Sequence, residues 1–231
     1  MENNTNQSDL FEIVLNKAIL KQNVYSNTLE ASKLFKEVII EIVDEFKERL
    51  SPKEKHISFE YRDKDVFEME LKFAGDVLIF MMHTNVFEFS RNHEIMRTNY
   101  IREDKNRSYC GIINIYNFLA DSFKYNREND VGYLIGRVFV NNENHYYIDG
   151  KKELGLIYNN FANNIMTKEA AKDIVEKAIL YTSNFDLLTP PYDEVKEVSV
   201  FEIQANIDNI RLKTGKRLGF KFQADSENVK G

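Results

Sequence analysis

Tryptophan is absent from this 231-residue chain and cysteine occurs once, at Cys110. A lone cysteine excludes an internal disulfide and any metal centre built mainly on thiolates. Cys110 lies in the apolar run 109–116, which reads as a small buried hydrophobe rather than a nucleophile. Long apolar runs are missing too. None approaches the ~20 residues that a membrane helix needs, so no membrane partner is expected. Residues 1–10 are polar and acidic, without the basic and apolar regions of a secretory signal. A cytoplasmic location is the expectation. Excess positive charge is lacking as well: the formal net charge is −6 and the pI about 5.4. Nucleic acid is therefore not expected as the main partner, because phosphate contacts need clustered Lys and Arg.

What is present is ordinary for a globular chain: 43% apolar and 29% charged residues, with 17 Phe and 12 Tyr supplying the large rings. A domain of this length buries roughly 70–75% of its unfolded surface, so neither a metal nor a disulfide is needed for stability. No cofactor is expected either. The simplest organisation is a single domain over 8–222, with disordered tails at 1–7 and 223–231.

Periodicity divides the chain. Leu10, Phe11, Val14, Leu15, Ala18 and Ile19 recur at helical spacing after Ser8 or Asp9. A second helix is expected from Asn27 or Thr28, where Asn27 and Glu30 form a capping box. Its stripe of Leu34, Val38, Ile42, Phe46 and Leu50 ends at Pro52. The period then changes to two. Ile57, Phe59 and Tyr61 alternate with polar residues, as do Phe67, Met69, Leu71 and Phe73 across a turn at 62–65. Residues 77–82 are apolar on both faces, as a central strand requires, and 86–90 complete a four-strand meander. Residues 91–107 have no clean period and read as a loop or short helix. Strand character resumes at 109–116, although 113–123 is also compatible with a helix. A hairpin follows, with 133–141 returning through His145–Ile148. A helix is expected over 167–182, an edge strand over 193–198, and a last helix from the Ser199–Glu202 capping box to Gly215. A short final strand fits 216–222. Helices, then strands, then helices indicate an α+β fold. An antiparallel sheet of about five to seven strands should carry two N-terminal and two C-terminal helices.

Catalytic motifs are scarce. Glu70-Leu71-Lys72 spells the carboxylate-x-lysine element of a metal-dependent nuclease, but the earlier Asp63 and Asp65 fall in a turn. Glu68, Glu70 and Lys72 also alternate with apolar neighbours, as a half-solvated strand would. The four histidines show no metal-binding spacing, and no phosphate loop, dinucleotide fingerprint or nucleophile elbow occurs. No catalytic or metal residue is assigned.

Three features carry charge out of keeping with an acidic protein. Residues 91–107 bear Arg91, His93, Arg97, Arg102, Lys105 and Arg107, and arginine forks suit phosphate or carboxylate. Arg211, Lys213, Lys216, Arg217 and Lys221 form a run without acids, an anion or partner patch. Arg137 stands among apolar residues. In phase with Tyr133, Ile135 and Phe139 it would point inward and need an ion-pair partner such as Glu60 or Glu88, or an anion. Tyr146 and Tyr147 read as exposed aromatics. The function expected is that of a non-catalytic binding or regulatory protein engaging a protein partner or small anionic ligand. One alternative is a metal-dependent enzyme acting on a phosphorylated or nucleic-acid substrate. Another is a structural homo-oligomer subunit joined through the 28–50 helix.

Overall fold

With no proline or glycine before Pro52, nothing in the first fifty residues forces a helix to break. The computed structural model, which describes residues 3–150, 160–185, 187, 189, 191–201 and 203, has one helix there. This α1 runs Asn3–Arg49, about 70 Å at 1.5 Å per residue. Two N-terminal helices were expected, and they are one; residues 3–7 belong to it too. The residues read as a cap are spent on other bonds. Thr28 Oγ1 donates back to the Val24 carbonyl at 2.7 Å, and Asn27 Nδ2 donates to the carbonyls of Asn141 and Asn142, both at 3.0 Å. A hydroxyl bonded one turn back is compatible with a continuous helix.

The sheet follows as β1 (Phe59–Asp63), β2 (Glu68–Phe73), β3 (Asp76–Met82), β4 (Phe87–Glu88), β5 (Tyr109–Leu119), β6 (Tyr133–Asn141) and β7 (Tyr146–Gly150). All pairings are antiparallel, in the order β1-β2-β3-β5-β6-β7. The expected fourth strand of the meander is only two residues long. It pairs with β5 instead of β3, so β5 lies beside β3. Short helices α2 (Asn99–Glu103) and α3 (Ala120–Lys124) flank β5. Helix α4 (Lys168–Ser183) is capped by Thr167, whose side chain accepts from Ala170 N.

One face of the sheet lies under α1 and α4. Phe35, Val38, Ile39 and Ile42 from α1 meet Leu71, Leu78, Phe80, Ile113, Ile115, Val138 and Ile148 from the strands, and Ala171, Ile174, Val175 and Ala178 complete the cluster. Phe35 and Phe80 lie with ring centroids 5.6 Å apart. Each of these side chains contributes about 1.5–3 kcal/mol by leaving water, which makes this layer the main source of stability. The expected edge strand over 193–198 is instead a helical turn, α5 (Tyr192–Val195), opening on Pro191, whose φ of −55° suits a helix start. Val200, Phe201 and Ile203 are helical, and Ile203 N reaches the Ser199 carbonyl at 3.0 Å, so the last helix opens where its capping box indicated. Its continuation, the strand at 216–222 and the tail at 223–231 lie outside the described residues.

Candidate functional site

The opposite sheet face is covered at one end by residues 89–108. This stretch lacks a period because it is built of short turns held by their own side chains. Around α2 stand two 3₁₀ turns, Glu94–Arg97 and Lys105–Ser108. His93 Nδ1 accepts from Ile95 N at 3.3 Å, and the Asp104 carboxylate accepts from Asn106 N at 2.9 Å. Every few residues an apolar side chain turns down: Phe89, Ile95, Tyr100 and Ile101 form a second cluster with Cys110, Phe139, Tyr147 and Phe161. Phe89 sits 4.8 Å from both Phe139 and His93, ring to ring. Burial pushes the Cys110 thiol well up, as expected of an inert hydrophobe.

A polar network anchors the segment to the β6–β7 turn. Asn141 is fully buried. Its Oδ1 accepts from Glu143 N and His145 N at 3.0 and 2.9 Å, while its Nδ2 donates to the Tyr100 hydroxyl at 2.9 Å. Tyr100 passes the chain on, donating to Glu143 Oε2 at 2.7 Å. Arg107 Nε donates to Glu143 Oε1 at 2.9 Å, and the guanidinium lies 4.4 Å over the Tyr100 ring. His145 also stacks on that ring, with centroids 5.3 Å apart, its Nδ1 3.0 Å from the Phe161 carbonyl. Burial pushes the Tyr100 hydroxyl far up, with Asn141 opposing and Glu143 adding to the shift. Burial opposes charge on Glu143, yet the Tyr100 hydroxyl and Arg107 outweigh it, so its pKa is lowered.

The network decides which cations remain available. Arg107, expected to touch a ligand, is instead committed to Glu143, Glu103 and the Tyr100 carbonyl. His93 is a turn cap. The side chains of Arg91, Arg97, Arg102 and Lys105 are exposed and have no hydrogen-bond or ion-pair partner among the described residues. The neighbouring acids are engaged: Glu94 accepts from the Tyr147 hydroxyl at 3.5 Å, Glu103 pairs with Arg107 at 3.2 Å, and Asp104 caps its turn. The groove beneath α1 at the β1–β2 turn, about 520 Å³, contrasts with this. Its lysines are spent, Lys33 on Glu30, Lys36 on Asp63 and Lys64 on Glu70.

Several sequence readings are corrected. Arg137 does not point into the helix-covered core, and its partner is neither Glu60 nor Glu88. It is half-exposed on the opposite face, paired across the strands with Asp149 and 5.5 Å over the Phe139 ring. The cause is a bulge at Ile115/Tyr116, where the partner register skips Ile135. That extra residue leaves Tyr133 and Ile135 on the helix side and puts Arg137 and Phe139 on the other. Tyr146 and Tyr147, read as exposed, are buried. Glu70, read on a half-solvated strand face, is buried and faces Lys64 at 3.3 Å, while Lys72 reaches Glu60 at 3.3 Å. Among the described residues no group of three or more His, Cys, Asp or Glu is placed to hold a metal ion. Arg211, Lys213, Lys216, Arg217 and Lys221 lie outside the described residues. Tyr100, Asn141 and Glu143 escaped sequence reasoning; the Asn-Asn-Glu-Asn turn signalled a bend, but nothing in it announced a long-range partner.

No family model, curated protein or solved structure matches the chain.

Proposed function

We propose that this chain is a non-catalytic binding protein whose 91–105 segment engages an acidic stretch of a protein partner. The observation carrying this reading is the imbalance just described: Arg91, Arg97, Arg102 and Lys105 are unpaired while the acids beside them are already engaged. Unpaired arginines on the outward side of short turns suit a carboxylate-bearing surface, since each fork can take a carboxylate in two parallel bonds. The segment is held to the sheet by its apolar residues and by Arg107, so the free cations stand on a rigid base, which limits the entropy lost on binding. The rest of the protein is acidic, and this local reversal of sign would orient an approaching acidic partner toward the segment. His93 serves in its turn cap and Glu143 in its network, and neither is offered outward beside the free arginines.

The test is fluorescence anisotropy of a labelled oligo-glutamate peptide with the full chain and with an Arg91→Glu/Arg97→Glu/Arg102→Glu variant. The wild type should bind, more weakly as salt rises, and the triple variant should lose at least about tenfold in affinity. Its melting temperature should not change, because these side chains have no partners to lose. Equal binding by both proteins, or no binding by the wild type, overturns the reading.

A further inference from the structure

The two outer strands of the sheet differ. Strand β7 is partly covered by residues 164–166: Tyr146 N donates to the Asn164 carbonyl at 2.8 Å, and Met166 N to the Asn144 carbonyl at 2.9 Å. Strand β1 has β2 on one side only. Its register sets Glu60 against Lys72 and Arg62 against Glu70. The bonds from Ala74 N to the Ser58 carbonyl (3.0 Å) and from Lys64 N to the Glu68 carbonyl (3.2 Å) belong to the same alternate set. Even-numbered residues therefore spend their backbone groups on β2, and the backbone N–H and C=O of Phe59, Tyr61 and Asp63 point outward. Those groups have no hydrogen-bond partner among the described residues. Phe59 and Tyr61 pack on the helix-covered core, so Glu60 and Arg62 project from the opposite face. The 28–50 stretch of α1, expected to join copies, is occupied by the sheet: Phe35, Val38 and Ile39 are fully buried.

We propose that two copies of this chain join edge to edge through β1, antiparallel, about a two-fold axis at Tyr61. The axis sets Tyr61 against Tyr61, Phe59 against Asp63, and Glu60 against Arg62 on both sides, as an isologous interface requires. The three facing pairs of outward residues close about six backbone hydrogen bonds, two to each pair. Charge selects this register. Sliding one strand by two residues keeps the outward groups facing, but it brings Glu60 onto Glu60 in one direction and Arg62 onto Arg62 in the other. Like charges directly opposite each other weaken a strand pair, and opposite charges strengthen it. Charge on an edge strand ordinarily discourages pairing; on β1 the alternating signs match their own reversal. Within one copy Arg62 donates to its own Glu60 at 2.9 Å, with the two side chains 55% and 37% exposed. Facing residues between the hydrogen-bonded pairs approach most closely, so the fork can turn to Glu60 of the other copy. Helix α1 adds a second match. Lys36 pairs with Asp63 and Phe46 packs on Phe59, so the turn between them lies level with Tyr61. Ile40 on that turn, on the same flank as Lys36, is 37% exposed, and the axis brings the two Ile40 flanks toward each other. None of these residues belongs to the 91–105 segment, so this inference stands apart from the acidic-partner reading.

The experiment is light scattering of the full chain over a concentration series from about 1 to 100 μM, with Glu60→Arg and Arg62→Glu as variants. The wild type should reach twice the 27.2 kDa chain mass. Each variant alone sets like charges opposite each other and should remain at the single-chain mass. Mixed in equal amounts, the two restore both opposite-charge pairs and should form a mixed dimer. Circular dichroism establishes that each variant is folded. Register is read independently from disulfide formation between copies carrying Glu60→Cys and copies carrying Arg62→Cys. Their Cα atoms would lie about 4.5 Å apart, within disulfide reach, so the mixture should crosslink and neither variant alone should. Cys110 is buried and takes no part. If a charge reversal unfolds the chain, the cysteine pair decides. A single-chain mass for the wild type, a dimer of either folded reversal alone, or a mixture of folded reversals that stays single-chain overturns the proposal. So does a cysteine mixture that fails to crosslink, or crosslinking of Glu60→Cys or Arg62→Cys by itself.

Discussion

A Cβ placed on Gly111 would stand 2.1 Å from Thr28 Oγ1 and 2.7 Å from Thr28 Cβ. Helix α1 therefore rests on the backbone of β5 at this point, and glycine is required by proximity to a neighbouring element. Gly111→Ala must push α1 off the sheet or distort Thr28, which is held by its bond to the Val24 carbonyl. Overpacking of this kind costs about 1–3 kcal/mol, a fall of several degrees in melting temperature for a chain of this size. Thr28→Gly should partly rescue it. A double-mutant cycle by urea unfolding is expected to give a favourable coupling between the two substitutions, and strict additivity would show that the contact is not what constrains residue 111.

The same contact explains why the continuity of α1 was not legible in its residues. Asn27 and Thr28 are good cap formers, and only their bonds to Asn141, Asn142 and Val24 reveal that the helix runs through them. Local patterns fared better where local physics decides. Alternation at 67–73 and unbroken apolarity at 77–82 placed β2 and β3 correctly, because β2 keeps Met69, Leu71 and Phe73 on the helix-covered face and β3 buries Val77, Leu78, Ile79 and Phe80 on both faces. The order of strands past β3 was not legible, since β4 is too short to hold a place beside it. Within the candidate site, Arg91, Arg97 and Arg102 could be read from composition alone. The fate of Arg107 could not, because its partner Glu143 is 36 residues away.

Arg137 provides a direct test of the bulge. Had it been buried with Tyr133 and Ile135, truncation would strand a carboxylate in the core and cost several kcal/mol. Paired with Asp149 at about 40% exposure, it is a solvent-screened cross-strand contact. Arg137→Ala should therefore lower stability by less than about 1 kcal/mol, and less still at high salt. A loss of 3 kcal/mol or more by urea denaturation would place Arg137 back in the core.

Cys110 should be silent in the folded protein. It is 1% exposed, and burial holds its thiol in the protonated, unreactive form. A thiol reagent such as DTNB is expected to label nothing in native protein on the timescale of minutes and one thiol per chain in guanidinium. Rapid native labelling would mean that the cover formed by residues 89–108 opens often.

The Glu143 network links stability to pH. The Tyr100 hydroxyl and Arg107 hold its carboxyl below the ordinary glutamate range despite the opposing effect of burial. A depressed folded-state pKa means that folding favours the charged form. The stabilisation is therefore fully present above the unfolded-state value near 4.3 and is lost as pH falls through the lower folded-state value. Glu143→Gln keeps the shape and the hydrogen-bond acceptor for Tyr100 but removes the charge. Because the side chain is about one-third exposed, solvent screening limits the effect at pH 7 to about 1 kcal/mol. Urea midpoints of the two proteins should differ most near neutral pH and converge as pH falls through the lowered folded-state value, where the wild-type carboxyl takes up its proton. Since Arg107 supplies part of the depression, Arg107→Met should narrow the pH-dependent part of the gap by raising the Glu143 pKa toward its ordinary value. A wild-type minus Glu143→Gln difference that stays constant from neutral pH to pH 3 would mean that Glu143 acts through packing, and the anchoring of the arginine-bearing segment would then rest on Tyr100 and Asn141 alone.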